Sequence, residues 1–186
     1  MTARSGPRTS STRRRRTASA APASSFRCLR NDGADEMTAP ANLHASAVAV
    51  SDRGILIRGP AQSGKSALAL ALLRRGPGLG MTSELVADDR VLAEAAEGAV
   101  RLSAPGTLKG LIEISGIGIH REPARPFVDL WLVAELVEPR SITRLPGTLV
   151  TEIVGREFPL VRLPWRESGR AADILLTLAL SGRLPD

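Results

Sequence analysis

The chain has 186 residues, of which 43% are hydrophobic, so it is long enough for one globular domain with its own core. Only 3% are aromatic and none is Tyr, which argues against a surface that stacks single-stranded nucleic acid. The single cysteine, Cys28, excludes an internal disulfide framework and Cys-rich zinc sites. No apolar run reaches the roughly 18 residues of a membrane span. We therefore expect a cytoplasmic protein without membrane partners.

The charge of the chain is concentrated at its N-terminus. Residues 1–36 carry eight Arg and three acidic side chains, a net charge of +5 out of +6 for the whole chain. Residues 1–41 show no hydrophobic period, which predicts a disordered basic tail. A nucleic-acid-binding arm and a targeting segment are two interpretations. A functionless extension is the preferred one, because Met37 could be the true start of the protein. The domain is expected over residues 42–186.

Hydrophobic patterning from residue 43 onward predicts a sheet-rich α/β domain, since strands outnumber helices. Residues 43–50 alternate as a strand that includes His44, and residues 55–57 complete a hairpin across the turn at 51–54. A loop at 59–66 then leads into a helix at 67–75. The later apolar or strand-like segments are 85–87, 91–93, 99–102, 111–119, 127–136 and 160–163, and a helix at 171–180 closes the domain.

One motif carries a specific chemical prediction, because it matches G-x-x-x-x-G-K-S at every fixed position between a predicted strand and a predicted helix. In such a loop, successive backbone N–H groups and the helix N-terminus bind phosphate. The Lys should reach the β- and γ-phosphates, and the Ser hydroxyl should bind Mg²⁺. We therefore predict ATP and Mg²⁺ as ligands. The loop is Gly59-Pro60-Ala61-Gln62-Ser63-Gly64-Lys65-Ser66.

Two adjacent carboxylates, Asp88 and Asp89, follow the predicted strand at 85–87. The end of a strand beside a phosphate loop is a common place for a metal partner. One carboxylate can hold the metal or its water, and the other can accept a proton from an attacking hydroxyl. The alternative is a pair of solvated turn residues, which the phosphate loop upstream makes less favourable.

Three further residues are candidates. His44 in a strand has both a structural and a functional interpretation. Glu113 lies in an apolar run, where an unpaired carboxylate would be costly, so we expect it to have a metal, Arg or Lys partner. Composition alone predicts that Arg144 is an ordinary surface residue.

Taken together, these segments resemble the catalytic, C-terminal domain of HPr kinase/phosphorylase, and most of all its short alphaproteobacterial forms. The resemblance covers residues 42–182. It is carried by LHASAVAV, GPAQSGKS, LVADDRV, APGTLKGLIEISGIGI and RLPWRESGRAADILLTLAL. It implies a P-loop kinase fold of the HPr kinase C-terminal type.

The resemblance also implies roles. Asp89 matches the general base of the kinase reaction and the acid of the reverse reaction, and Asp88 and His44 match its partners. Ser66 and Glu113 match Mg²⁺-binding positions, and Arg144 in TRLPG matches a catalytic-site Arg. Relatives form ring-shaped hexamers, which implies a homo-oligomer.

Three residues depart from the family pattern. Ala61 stands where the family loop usually has Ser. Gln62 stands where the family loop usually has Gly, which removes flexibility but no charge, so nucleotide binding should survive. Ser115 stands where IEIRG usually has Arg.

The function that we predict is an ATP- and Mg²⁺-dependent serine kinase, and also phosphorylase, that acts on the phosphocarrier HPr or a paralogue and so regulates the phosphotransferase system. The alternatives are a P-loop kinase of a small molecule and a catalytically silent nucleotide sensor. A nucleic-acid-binding ATPase that uses the Arg-rich tail is a weaker third alternative.

Overall fold

The computed structural model describes residues 39–184, so the predictions of a disordered tail and of a start at Met37 fall outside the described residues. Eleven strands and two α-helices form the described part. None of its helices is long and apolar enough to cross a membrane. The strands are β1 (Ala41–Leu43), β2 (Ser46–Val50), β3 (Arg53–Arg58), β4 (Ser83–Ala87), β5 (Val91–Ala96), β6 (Ala99–Ser103), β7 (Leu111–Ile114), β8 (Gly118–Arg121), β9 (Phe127–Val137), β10 (Val150–Ile153) and β11 (Arg156–Pro164). The helices are α1 (Lys65–Arg75) and α2 (Ser168–Ser181).

Nine of the strands form one mixed sheet, and seven of them follow one another in the order β1-β5-β6-β9-β3-β2-β4. The long strand β9 pairs with β3 in parallel on one side. On its other side, the first residues of β9 pair with β6 in antiparallel and its last residues pair with β11 in parallel. β10 extends the sheet beyond β11, while β7 and β8 form a separate two-stranded sheet. This confirms a sheet-rich α/β domain.

The centre of the sheet separates two hydrophobic layers. Val48, Ile55 and Ile57 face α1 and α2, and their neighbours along the strands, such as Ala47 and Leu56, pack against residues of β5 and β6. All five residues of β2 are buried, because the strand is covered on both faces.

The predicted strand at 43–50 is wrong in one respect. The chain bends at His44 and Ala45, which separates β1 from β2, so His44 lies between two strands and not within one. The predicted hairpin of β2 and β3 is confirmed. β10 is not among the predicted strands.

The carboxyl ends of β3, β9 and β11 meet at one edge of the sheet, because these strands are parallel. Antiparallel β2 begins at this edge, and β4 ends there. Binding sites of open α/β sheets form at such an edge.

Candidate active site

The glycine-rich loop joins the carboxyl end of β3 to the first turn of α1. Gly64 precedes α1 in the left-handed conformation, with φ of 99°. At Gly59 a Cβ atom would lie 2.9 Å from Leu136 Cβ, from the Leu136 carbonyl oxygen and from Ser63 Oγ. A side chain there would collide with both the loop and β9. The two glycines at fixed positions of the motif are therefore required by close approach and by backbone conformation.

The backbone of the loop is strained at Gln62. The Ser63 amide donates a hydrogen bond to the Pro60 carbonyl at 3.2 Å, which closes a four-residue turn. Gln62 occupies the third position of this turn with φ of 60°. A turn with positive φ at that position favours Gly or Asn. A glycine would adopt this backbone without strain, whereas Gln62 adopts it at a cost.

The Lys65 ammonium lies among backbone carbonyls in a nearly buried position. Its Nζ donates to the carbonyls of Gly59 and Pro60, each at 3.1 Å, and lies 3.3 Å from Nε2 of His44. Burial lowers the pKa of Lys65 from its ordinary value of 10.5, although the charges of Asp89 and Asp88 act in the opposite direction.

Asp88 is buried and accepts hydrogen bonds from three elements. Ser46 Oγ donates at 2.6 Å, and Ser66 Oγ donates to both carboxylate oxygens at 2.9 and 3.0 Å. The backbone N–H of Glu113 donates at 3.1 Å. Asp88 therefore ties β2, α1 and β7 together and places carboxylate oxygens beside the hydroxyl of the P-loop serine.

Asp89 has different surroundings from its neighbour. Its side chain is exposed, and its backbone has the left-handed φ of 65°. Nδ1 of His44 lies 3.1 Å from Asp89 Oδ1 and 3.2 Å from the Asp89 carbonyl oxygen. The positive φ turns the two consecutive carboxylates to different partners. Asp88 contacts the loop serine, and Asp89 contacts a histidine that also contacts Lys65.

A cavity of about 650 Å³ connects these groups, and Glu113 and Ser115 also line it. The side chain of Glu113 is exposed, and it makes no ion pair within residues 39–184. The prediction that burial forces a partner on Glu113 is therefore wrong, because only alternate residues of β7 face the core. Its position in the cavity beside Asp88 keeps it a candidate.

Of the four residues predicted to be catalytic, Arg144 is the one that does not line the cavity. It is exposed and does not line the cavity, and it lies in the segment between β9 and β10. That segment leaves β9 at the same edge of the sheet as the P-loop. The catalytic assignment of Arg144 stays a prediction.

Several contacts at the cavity were not predicted from sequence. Ser46 holds Asp88, but a small polar residue at the start of a strand gives no signal by itself. The backbone N–H of Arg166, which has φ of 59°, donates to the Ser63 carbonyl at 2.9 Å and thereby anchors the loop to the start of α2. Arg74 lines the cavity and pairs with the buried Glu122. This pairing lowers the pKa of Glu122 and raises that of Arg74, through their hydrogen bonds above all.

The donor set fits a triphosphate and a small divalent cation. No group of three or more His, Cys, Asp or Glu that could hold a metal by itself occurs among residues 39–184. The cavity instead offers Ser66 and Asp88, whose oxygens lie within hydrogen-bond distance of each other. Mg²⁺ prefers such hard oxygen ligands and usually completes its shell with phosphate and water. The backbone of the loop and Lys65 supply the complementary positive field.

Fold and cavity together define a P-loop nucleotide-binding domain. Residues 35–121 match the family model described as HPr Serine kinase C-terminal domain. The chain is also similar to a solved structure, the Hpr(Ser) kinase/phosphatase from Coxiella burnetii. The two share 28% identity and a TM-score of 0.66, over 77% of this chain and 90% of that one. The predicted resemblance to the HPr kinase C-terminal domain is confirmed, and the described residues have that fold.

Two curated relatives extend the similarity to most of the chain. The HPr kinase/phosphorylase of Enterococcus faecalis is 32% identical over 76% of this chain and 48% of its own length. The HPr kinase/phosphorylase of Chlorobium phaeovibrioides is 33% identical over 79% of this chain and 46% of its own length. The chain thus spans about half the length of these relatives, or less.

Proposed function

We propose that the chain is an ATP- and Mg²⁺-dependent protein serine kinase, and in reverse a phosphorylase, whose substrate is HPr or a paralogue of HPr. The observation that supports this most is the separation of roles between two consecutive carboxylates. Asp88 is buried against the P-loop serine, while Asp89 is exposed at the cavity beside His44. A nucleotide-binding site with an accessible carboxylate next to it is suited to transfer of a phosphoryl group to a hydroxyl.

The residues of the loop bind and orient the nucleotide. The backbone between Gly59 and Ser66 presents N–H groups, and Lys65 places a cation at the mouth of the loop. Ser66, Asp88 and Glu113 would hold Mg²⁺ and its water. When bound, Mg²⁺ neutralises phosphate charge and polarises the transferring group.

Asp89 accepts the proton of the substrate serine. The bond from the serine oxygen to the γ-phosphorus forms, the bond from that phosphorus to the β–γ bridging oxygen breaks, and the proton moves to Asp89. Lys65 donates toward Nε2 of His44, so Nδ1 carries the hydrogen and donates to Asp89. His44 therefore fixes the orientation of the base. In reverse, inorganic phosphate takes the phosphoryl group of phosphoserine, pyrophosphate leaves, and Asp89 returns the proton.

Asp89→Asn tests this assignment, because the amide keeps the shape of the side chain but cannot accept the proton. General-base catalysis typically contributes about 10²–10⁴-fold, so transfer from Mg-ATP to HPr, measured by intact mass, should fall by that order. Calorimetric ATP affinity should be retained. Asp52→Asn, at an exposed carboxylate in the β2–β3 turn, is the matched control. Unchanged transfer by Asp89→Asn would refute the role of Asp89. Wild-type binding of ATP without transfer to HPr would favour a small-molecule kinase or a sensor.

A further inference from the structure

The β7–β8 hairpin lies outside the main sheet and has two different faces. Residues directly opposite each other on paired strands share a face, and here Ile112 pairs with His120 and Glu113 with Ile119. Ile112 is buried in the core layer beneath α1, so its face points inward. Glu113 and Ile119 therefore share the outer face.

The outer face combines apolar and basic groups without partners. Ile117, in the turn, is 76% exposed, and Ile119 is 75% exposed. Arg121 lies on the outer face at the far end of β8, and Lys109 just precedes β7. Both are exposed, and neither forms an ion pair with another described residue. Such a concentration of exposed apolar side chains beside a cavity is typical of an interaction surface.

This surface continues into the candidate active site. Glu113 belongs to the outer face and lines the cavity, and Ser115, which lines it as well, leads into the turn that carries Ile117. The hairpin therefore forms part of the wall of the cavity in which Asp89 lies.

We propose that the outer face of the β7–β8 hairpin docks the protein that carries the acceptor serine. This proposal rests on the proposed kinase function. The partner surface that complements it is apolar beside the serine and acidic farther out, so that Ile117 and Ile119 are covered while Arg121 and Lys109 meet carboxylates.

Charge argues against a second copy of this chain as the occupant. A second copy that used the same face would be related by a two-fold axis. Such a dimer would bring Arg121 and Lys109 of one copy close to the same two basic residues of the other.

The test compares Ile117→Ser/Ile119→Ser with a control that removes two exposed apolar side chains elsewhere, Leu79→Ser/Phe127→Ser. With the full chain, Mg-ATP and HPr as the probe, the hairpin variant should raise the KM for HPr by about 10-fold or more, as expected for losing apolar anchors of an interface. The KM for ATP should stay within about two-fold, because neither Ile lines the cavity. The control should change neither constant. Arg121→Glu should raise the KM for HPr and weaken its dependence on salt.

An unchanged KM for HPr in both hairpin variants would overturn the proposal. So would a loss of oligomeric mass in light scattering together with a rise in both KM values, since a second copy would then cover this face. Direct calorimetric binding of HPr separates this proposal from the proposed function. If the wild type binds HPr but transfers no phosphate, only the kinase assignment fails, and loss of binding in the hairpin variant still supports docking. If the wild type does not bind HPr, docking of HPr on this face is refuted.

Discussion

Because Gln62 is strained, we predict that its replacement by glycine raises the free energy of unfolding. A substitution to glycine usually lowers it. A left-handed conformation costs a non-glycine residue about 1–2 kcal/mol, and Gln62 has φ of 60°. Gln62→Gly removes this cost but adds about 0.5–1 kcal/mol of backbone entropy to the unfolded chain. Because Gln62 is exposed, little packing is lost. We expect a net gain of about 0.5–1 kcal/mol in the free energy of unfolding, or about 2 °C in Tm for a chain of this size.

The neighbouring residue supplies a control of opposite sign. Ala61 is also exposed, but its φ is not positive. Ala61→Gly adds the entropy cost and relieves nothing, so it should lower stability by about 0.4–1 kcal/mol. Urea unfolding of both variants with unchanged m-values measures the two effects, and calorimetry should find that Gln62→Gly still binds ATP. A loss of stability in Gln62→Gly as large as that in Ala61→Gly would refute the argument that this turn is strained.

Two further predictions concern ionisable groups. Burial lowers the pKa of Lys65 below 10.5, so the ammonium loses its proton earlier than an exposed Lys as pH rises. Calorimetric ATP affinity should therefore weaken at moderately alkaline pH, and a Lys65→Arg variant that still binds ATP should lack this transition. The pKa of Glu122 is lowered from 4.5, so its stabilisation is present above 4.5 and is lost as pH falls through the lowered value. Glu122→Gln should lower the free energy of unfolding by about 1–2 kcal/mol near neutral pH. The loss is smaller than for a fully buried ion pair, because Arg74 is half exposed to solvent. A stability difference between this variant and the wild type that did not shrink in acid would contradict the ion-pair explanation.

The phosphate loop and the strand that ends at Asp88 could be predicted from sequence, because their signals are local. A fixed motif with flanking periodicity identifies the loop, and a short buried strand ending in two carboxylates identifies the pair. The relation between them could not be predicted. The bond from Ser46 to Asp88 and the bond from Arg166 to the loop join residues that are distant in sequence.

The errors at His44 and Glu113 share a cause. Both residues lie in stretches of sequence whose apolar pattern predicts one uninterrupted strand. The fold breaks the first with a bend and exposes one face of the second. Alternation along a sequence cannot distinguish a bend that carries a functional side chain from an uninterrupted strand.

The parallel pairing of β3 with β9 sets the order in which this domain can assemble during synthesis. β3 carries the phosphate loop, but its partner on one side leaves the ribosome only after β4 to β8 have been made, and the anchor at Arg166 emerges later still. Pairings between segments so distant in sequence form slowly. The glycine-rich loop and its lysine therefore leave the ribosome before the strand β9 and the Arg166 anchor that complete the sheet edge around them.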